Sequence, residues 1–386
     1  MYSLYPAQAL ACNRLFRIIN TPGFRGAVLR GDEGTGKTII AYRVAYLMRP
    51  HGRTLYVTPA GARKDIENKL KQYGGDELID VISYHKFKSV HKMPAAEIAK
   101  YALIIFDECH NLRKYSNGAT RRMISLGGKK KFLFMSGTPM VKCESDFLYV
   151  LRKCGVWKGK SMRAIKVRYF NALPSYFGNF LELGEFQNEE EFYDHASQVT
   201  VELSHKDVDP DIPDFKIKDI IVPGTPKPFT CIEEETATRL ENGLKKVPHC
   251  AEHIIIAAYV FDGPILALTH FHEVAEELGK KINRKPVLTK EGVFKAFEEL
   301  RTGKRKILIT TLGLTQSSLD LNECNHVFLV ESTYSFATDR QSIRRCQRIG
   351  KRDIVNVYYM RMEDERPVDI SMSRKHLTEM RGIIHE

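Results

Sequence analysis

Gly31-Asp32-Glu33-Gly34-Thr35-Gly36-Lys37-Thr38 fits the Walker A pattern G-x-x-x-x-G-K-[ST] at every fixed position, and its reading decides the rest of the chain. Before it, Gly26 to Leu29 is a short apolar run that reads as a buried strand. After it, Ile39 to Met48 reads as a helix whose Ile40, Val44 and Leu47 face a sheet. A chance glycine-rich turn would lack this flanking strand and helix. With both in place the stretch reads as a phosphate loop. Its glycines let backbone N–H groups wrap phosphate oxygens, Lys37 reaches the terminal phosphates, and the Thr38 hydroxyl ligates Mg²⁺.

Three further apolar runs, Leu55 to Thr58, Leu103 to Phe106 and Phe132 to Met135, lead directly into loops of polar or small residues. With amphipathic stretches between them, they predict a parallel sheet covered by helices, whose ligand-binding edge lies at the carboxyl ends of the strands. From about Val141 to Pro223 the pattern changes. Phe147, Leu148, Val150 and Leu151 sit at helical spacing, aromatic-rich sequence follows, and prolines interrupt Asp209 to Asp214. Alternation resumes with strands expected over Ile265 to Leu268, Ile307 to Ile309, Val327 to Val330 and Val355 to Tyr359. The expected division is therefore an α/β domain over 1–140, a small helical insertion and linker over 141–223, and a second α/β domain over 224–386. At 386 residues the chain is long enough for two domains, each with its own core.

Asp107 and Glu108 end the apolar run Ala102-Leu103-Ile104-Ile105-Phe106, so both carboxylates emerge at the same sheet edge as the phosphate loop. Adjacent acids at a strand end are common as solvated caps. Placed after a phosphate loop and followed by Cys109-His110, they read as catalytic, Asp107 holding Mg²⁺ and Glu108 orienting and deprotonating an attacking water.

Asp107-Glu108-Cys109-His110 is a variant of the box that names the DEAD/DEAH helicases, and Ser136-Gly137-Thr138-Pro139 resembles their motif III. Tyr5-Pro6-Ala7-Gln8 resembles the glutamine motif that reads adenine, to which an amide can make two hydrogen bonds. The chain is thus similar to the superfamily-2 helicases. That resemblance implies two RecA-like parallel-sheet domains in tandem and ATP with Mg²⁺ as cofactors. Gln8, Gly34, Thr35, Gly36, Lys37, Thr38 and Asp107 are the implied nucleotide-site residues, with Thr38 and Asp107 on the metal. His110, Ser136 and Thr138 are the implied coupling residues.

Near the end, Gln341-Ser342-Ile343-Arg344-Arg345-Cys346-Gln347-Arg348-Ile349-Gly350-Lys351 predicts a helix leading into a turn at Gly350, with Arg345 and Arg348 on one face. An arginine-rich helix is more often a solvated face or a plain nucleic-acid contact. This segment, however, resembles motif VI of the SWI/SNF-type remodelling ATPases, which implies that Arg345 and Arg348 are arginine fingers for the γ-phosphate and that Gln341 couples. Leu55 to Ala60 resembles motif Ia, Val81 to Tyr84 motif Ib, Thr269 to Ala275 motif IV, and Leu203 to Ile212 the remodeller segment between the lobes. By that resemblance Thr58, Pro59, Ser83, Tyr84, Thr269, His270 and Thr311 contact nucleic acid. The stretch Thr310 to Leu321 departs from the family's motif V. It carries only Gly313, and Asp320 stands near the usual asparagine. The paired arginines that relatives place before the interlobe lysine are replaced near Glu202 and Leu203.

Lys and Arg number 59 against 47 Asp and Glu, a formal charge of +12 that suits a phosphate backbone as much as a merely soluble basic protein. Candidate phosphate tracks are Lys129 to Lys131, the group Lys158, Lys160, Arg163, Lys166 and Arg168, and Arg301 with Lys304, Arg305 and Lys306; each could equally be a solvated charged loop. The eight cysteines show no metal-ligand or disulfide spacing, which fits a reducing cytosol. The start MYSLYPAQALACNRLF is no signal peptide and no later run could span a bilayer, so a cytoplasmic protein without membrane contact, functional as a monomer, is expected. The span from the glutamine motif to just past motif VI predicts a minimal engine of the compact kind that phages and mobile elements encode. Three readings follow: an ATP-dependent DNA translocase or helicase acting on single-stranded, duplex or branched DNA; an RNA helicase; and a non-catalytic nucleic-acid-binding scaffold, against which the intact Lys37, Asp107, Glu108 and Arg348 argue.

Overall fold

The apolar runs read as strands are strands, and most are buried along nearly their whole length, as a parallel sheet covered on both faces requires. The computed structural model describes residues 3–75, 77–89, 91, 93–127, 130–140, 143–174, 181–228, 235–315, 321–333, 336–363 and 365. Its strands in chain order are β1 Gly26–Gly31, β2 Arg53–Thr58, β3 Ile79–Ser83, β4 Tyr101–Asp107, β5 Lys131–Ser136, β6 Leu173–Pro174, β7 Leu181–Glu182, β8 Thr200–Leu203, β9 Lys216–Val222, β10 Ile265–Thr269, β11 Ile307–Thr311, β12 His326–Leu329 and β13 Asn356–Met362. The chain divides into two compact units, Met1–Pro210 and Asp211–Glu386.

The first unit is built on a six-stranded sheet in the order β3-β2-β4-β5-β1-β8, parallel throughout. Leu55, Val57, Ile104, Phe106, Phe132 and Phe134 send their side chains into one core, where the Phe106 and Phe134 rings stack with centroids 5.4 Å apart. The second unit has a five-stranded parallel sheet in the order β11-β10-β12-β13-β9. The long helix Glu235–Val260 packs Val247, Cys250, Ala251 and Ile254 into its core. Two doubly wound α/β units in tandem are the RecA-like architecture expected from the motifs. Among the described residues, no helix is long and apolar enough to cross a membrane.

Three strands carry too little apolar alternation to be read from the sequence. β3 is half polar, β8 is short, and β9 is an edge strand on which Lys216, Ile217, Lys218 and Asp219 are exposed. The segment 141–223, expected to be a helical insertion and linker, is divided between the units. Its helices Leu148–Cys154, Met162–Phe170 and Glu189–Ser197 pack on the first sheet, and β8 adds the sheet's sixth strand beside β1. The aromatics that break the strand pattern are core residues: Trp157, Tyr169, Phe170 and Phe192 are all buried, and the Trp157 indole N–H donates to the Tyr169 hydroxyl at 3.2 Å. The division between the units falls inside the proline-interrupted stretch 209–214, and β9 already belongs to the second sheet.

Candidate active site

Because the first sheet is parallel, the strand order places the ends of its strands side by side along one edge. Ser83, Thr58, Asp107, Ser136, Gly31 and Leu203 follow one another there. The phosphate loop leaves β1 at Gly31 and enters the helix Lys37–Met48. Gly34 and Gly36 have φ of 88° and 87°, the left-handed region that a side chain rarely adopts. At Gly36 space adds to conformation, since a Cβ there would lie 2.4 Å from Gln8 Nε2. Thr35, fully buried, closes the turn by donating its N–H and hydroxyl to the Asp32 carbonyl. The Lys37 ammonium donates to the carbonyls of Gly31 at 2.7 Å and Asp32 at 3.1 Å, which holds it over the loop. Thr38 follows in the first turn of the helix.

Across the edge, Asp107 ends β4 and Glu108 turns the chain with φ 49°, a left-handed conformation that costs a non-glycine residue about 1–2 kcal/mol. This turn directs the Glu108 carboxylate toward the neighbouring strand end. The Ser136 hydroxyl donates to Glu108 Oε2 at 3.2 Å, accepts the Thr138 N–H at 3.1 Å, and lies 3.2 Å from His110 Nδ1. Burial lowers the His110 pKa against the opposing pull of Glu108, so at neutral pH the 3.4 Å contact between the two is not an ion pair. The box and motif III therefore form one polar cluster.

Asp107 is held from the other side. Thr58 donates its hydroxyl to Asp107 Oδ2 at 3.0 Å, and the Tyr84 hydroxyl donates to the Asp107 carbonyl at 2.7 Å. Burial and the adjacent Glu108 charge raise the Asp107 pKa, with Lys37 and the Thr58 hydroxyl opposing. Two carboxylates this close with one nearby lysine make a site short of positive charge. Two buried hydroxyls at the same edge, Tyr56 Oη and Thr138 Oγ1, have no hydrogen-bond partner. Tyr56 lies close enough to Thr38 and Asp107 for both to influence it, yet makes no hydrogen bond of ordinary geometry with either. Missing cation charge and unmet hydroxyls beside oxygen donors fit a hydrated Mg²⁺, which keeps several waters and takes one or two protein ligands.

Several expected residues are placed differently from their expected roles. Gln8 does not present an unengaged amide to a base. It is buried, donates to the Thr35 carbonyl at 2.8 Å and accepts the Tyr5 N–H at 3.0 Å, so it braces the phosphate loop and caps its own helix. Thr58, Thr269 and Thr311, expected on nucleic acid, are buried. As the last residues of β2, β10 and β11 they point into the protein, and Thr269 donates to the Phe271 carbonyl at 3.1 Å. Pro59, Ser83, Tyr84 and His270 remain partly exposed. Of these, Ser83 caps the short helix Tyr84–Lys88, and His270 offers its N–H to Glu331 Oε2 at 3.0 Å.

Arg345 and Arg348 do not share a helix face. The helix Phe336–Arg344 ends before them because the chain is drawn back: the Arg345 carbonyl accepts the Leu321 N–H, and Asn322 Oδ1 accepts the Arg348 N–H. Lys351 is buried and its ammonium donates to the carbonyls of Asn322, Cys324 and Cys346, so this lysine fastens the arginine segment. Gln341 stands partly exposed in the last turns of the helix. Lys129 and Asp320 lie outside the described residues. Lys130 and Lys131 of the first track are spent on backbone carbonyls, while Arg168, Arg301 and Arg305 pair with Glu191, with Glu298 and Glu323, and with Glu299. Lys158, Lys160, Arg163, Lys304 and Lys306 are exposed.

Two residues inside quoted stretches join the site in roles those stretches did not assign. Glu33, an acid within the phosphate loop, is buried so close to motif III that a Cβ on Gly137 would lie 2.6 Å from its Oε1. His205, buried just after β8, gives its N–H to Asp32 Oδ2 and places Nδ1 3.2 Å from the same oxygen. Neither contact is legible in the sequence, because each joins residues about a hundred or more positions apart.

A family model described as type III restriction enzyme, res subunit, matches residues 1–141. A curated relative, the uncharacterized killer plasmid pGKL-2 helicase of Kluyveromyces lactis, is 23% identical over 372 residues, covering 83% of this chain. The match spans 57% of that relative's length. Among solved structures, the Sulfolobus solfataricus SWI2/SNF2 ATPase core in complex with dsDNA aligns with a TM-score of 0.45 at 16% identity, over 93% of this chain and 88% of that one.

Proposed function

We propose that the chain is an ATP-driven DNA translocase of the superfamily-2 helicase type, acting with weak sequence preference in replication, recombination or branched-DNA processing, a reading supported by its likeness to the family matched over 1–141 and to a plasmid helicase. One observation carries the reading: Lys37, which opens the helix after β1, and Asp107 with Glu108 at the end of β4 lie along one edge of the first sheet, and Ser136, at the end of the strand between, holds Glu108.

ATP with a divalent ion, which the family implies, would supply the phosphoryl group and the charge at its centre. The chain's own residues do the rest. Lys37 exchanges its loop carbonyls for the terminal phosphates, and Thr38 and Asp107 hold the ion. Glu108, oriented by Ser136, aligns and deprotonates the attacking water. Arg345 and Arg348 are assigned the neutralisation of charge on the transferring group, a role that rests on the pattern from Gln341 to Lys351. The same pattern favours DNA over RNA. Contacts of exposed lysines and arginines with phosphates carry little sequence information and release counterions, so binding weakens steeply with salt.

The test is the ATPase rate of the parental protein and of Glu108→Gln without nucleic acid and with single-stranded, duplex and branched DNA and RNA, followed by strand displacement on the strongest activator. DNA stimulation that Glu108→Gln abolishes supports the reading. Stimulation by RNA alone would turn it into an RNA helicase. Nucleic-acid binding with no hydrolysis under any condition would leave a non-catalytic scaffold.

A further inference from the structure

The residues expected to touch nucleic acid and those expected to bind Mg²⁺ are not separate in this chain. β2 lies between β3 and β4, so the segments that follow β2 and β3 both reach Asp107 from the same side. Each gives Asp107 one hydroxyl: Thr58, the last residue of β2, donates to the carboxylate, and Tyr84, the first residue past β3, donates to the main-chain carbonyl. The two strand ends are in register, Thr58 opposite Ser83. Thr58 is fully buried, so its side chain has no surface to offer a DNA strand, while its neighbour Pro59 and the Tyr84 neighbour Ser83 reach the surface. The Tyr84 ring also stacks on Phe106, the residue before Asp107, with centroids 6.3 Å apart.

We propose that Thr58 and Tyr84 are positioning residues for Asp107, and that nucleic acid seated on the surface beside Pro59 and Ser83 acts on the metal site through these two hydroxyls. The inference rests on the ATPase reading given above and adds to it a route. A backbone phosphate that draws the ends of β2 or β3 moves a hydroxyl bonded directly to the metal-ligand residue, without any side chain bridging the distance in between. A hydrogen bond to a charged group is stronger than one between neutral groups, so the carboxylate follows the hydroxyl. Tyr56, two residues before Thr58 and on the same face of β2, brings a third hydroxyl to the same place.

The test separates positioning from contact. Thr58→Val removes the hydroxyl at nearly constant shape, Thr58→Ser keeps it, and Tyr84→Phe removes the other. Three quantities are read for each: affinity for a fluorescent ATP analogue with and without Mg²⁺, affinity for a duplex oligonucleotide, and ATPase rate with and without that duplex. Thr58→Val is expected to lose about tenfold of the Mg²⁺-dependent gain in nucleotide affinity. Thr58→Ser should keep it, and DNA affinity should stay within about twofold of the parent in both. Tyr84→Phe is expected to lower the duplex-stimulated rate about tenfold at full duplex occupancy. If Thr58→Val does not fold, Tyr84→Phe, which loses one oxygen and keeps the ring stacking, carries the test.

Weakened DNA affinity with untouched Mg²⁺-nucleotide binding in Thr58→Val would overturn the proposal and restore Thr58 as a nucleic-acid contact. Parental values for Thr58→Val and Tyr84→Phe in all three measurements would overturn it too, with the ATPase reading intact. A parental protein that binds no Mg²⁺-nucleotide would sink that reading, and the proposal with it.

Discussion

Ser136 Oγ donates to Glu108 Oε2 at 3.2 Å, so the hydroxyl of one strand end fixes the carboxylate of the next. The Ser136 oxygen itself accepts the Thr138 N–H and faces His110, which leaves the serine little rotational freedom. Ser136→Ala removes that restraint and leaves the phosphate loop untouched. Its ATPase kcat is expected to fall about tenfold with little change in KM, because what is lost is alignment of the base and not nucleotide binding. Steady-state kinetics check this, and an unchanged kcat would detach motif III from the chemistry.

Lys37 shows the opposite separation. Its ammonium rests on carbonyls that a phosphate would replace as acceptor. Lys37→Ala is expected to weaken nucleotide affinity by about tenfold or more while DNA affinity is kept, since a charge-assisted hydrogen bond to phosphate is lost. Parallel titrations with a fluorescent nucleotide and a labelled duplex decide it.

Asp32 links the phosphate loop to the chain that leads toward the second unit. Its N–H donates to the Leu203 carbonyl at 3.0 Å and its carboxylate accepts the His205 N–H at 3.3 Å, while Arg30, two residues before it, pairs with Glu202 at 3.0 Å. Asp32→Ala should release residues 203–208, costing about 1–2 kcal/mol locally. Hydrogen exchange would show faster exchange there and unchanged protection in β4. Uniform protection in the variant would mean the carboxylate is not the anchor.

In the second unit, burial pushes the Glu331 carboxyl up to about 7, against the backbone N–H groups of Phe271 and His270 and the nearby Lys246 and Arg239. The folded unit then holds a proton that the unfolded chain releases near 4.5. Folding stability contributed by this group is present below pH 4.5 and is lost as pH rises toward 7, by on the order of 3 kcal/mol at most. Glu331→Gln keeps an acceptor for both N–H groups and cannot ionise. Its stability should be flatter between pH 5 and about 8 than the parent's, as denaturant titrations at several pH values would register.

Lys351 is a structural lysine within the arginine segment. Lys351→Met leaves the carbonyls of Asn322, Cys324 and Cys346 without their shared donor, and a loss of about 2–4 kcal/mol is expected. Chemical denaturation measures it, and a neutral substitution would show that water takes the lysine's place.

The amino-acid sequence by itself determined the tandem α/β architecture, the phosphate loop and the acid pair, because these are local. Eight consecutive residues make the loop, and an apolar run ending in Asp107 and Glu108 is enough to bring both acids to an edge. The sequence placed the second domain's start at 224, whereas the units divide at Pro210 and Asp211, because burial of Trp157 or Phe192 in the first core leaves no period to read in the segment before it. Tertiary structure alone decided which strand lies beside which. That order gives Thr58 to Asp107, Ser136 to Glu108 and His205 to Asp32, pairs separated by tens of residues in the chain. It also decided which motif residues face inward. A threonine at the last position of a parallel strand can point to solvent or to the neighbouring strand end, and only the hydrogen bond it finds there selects between them.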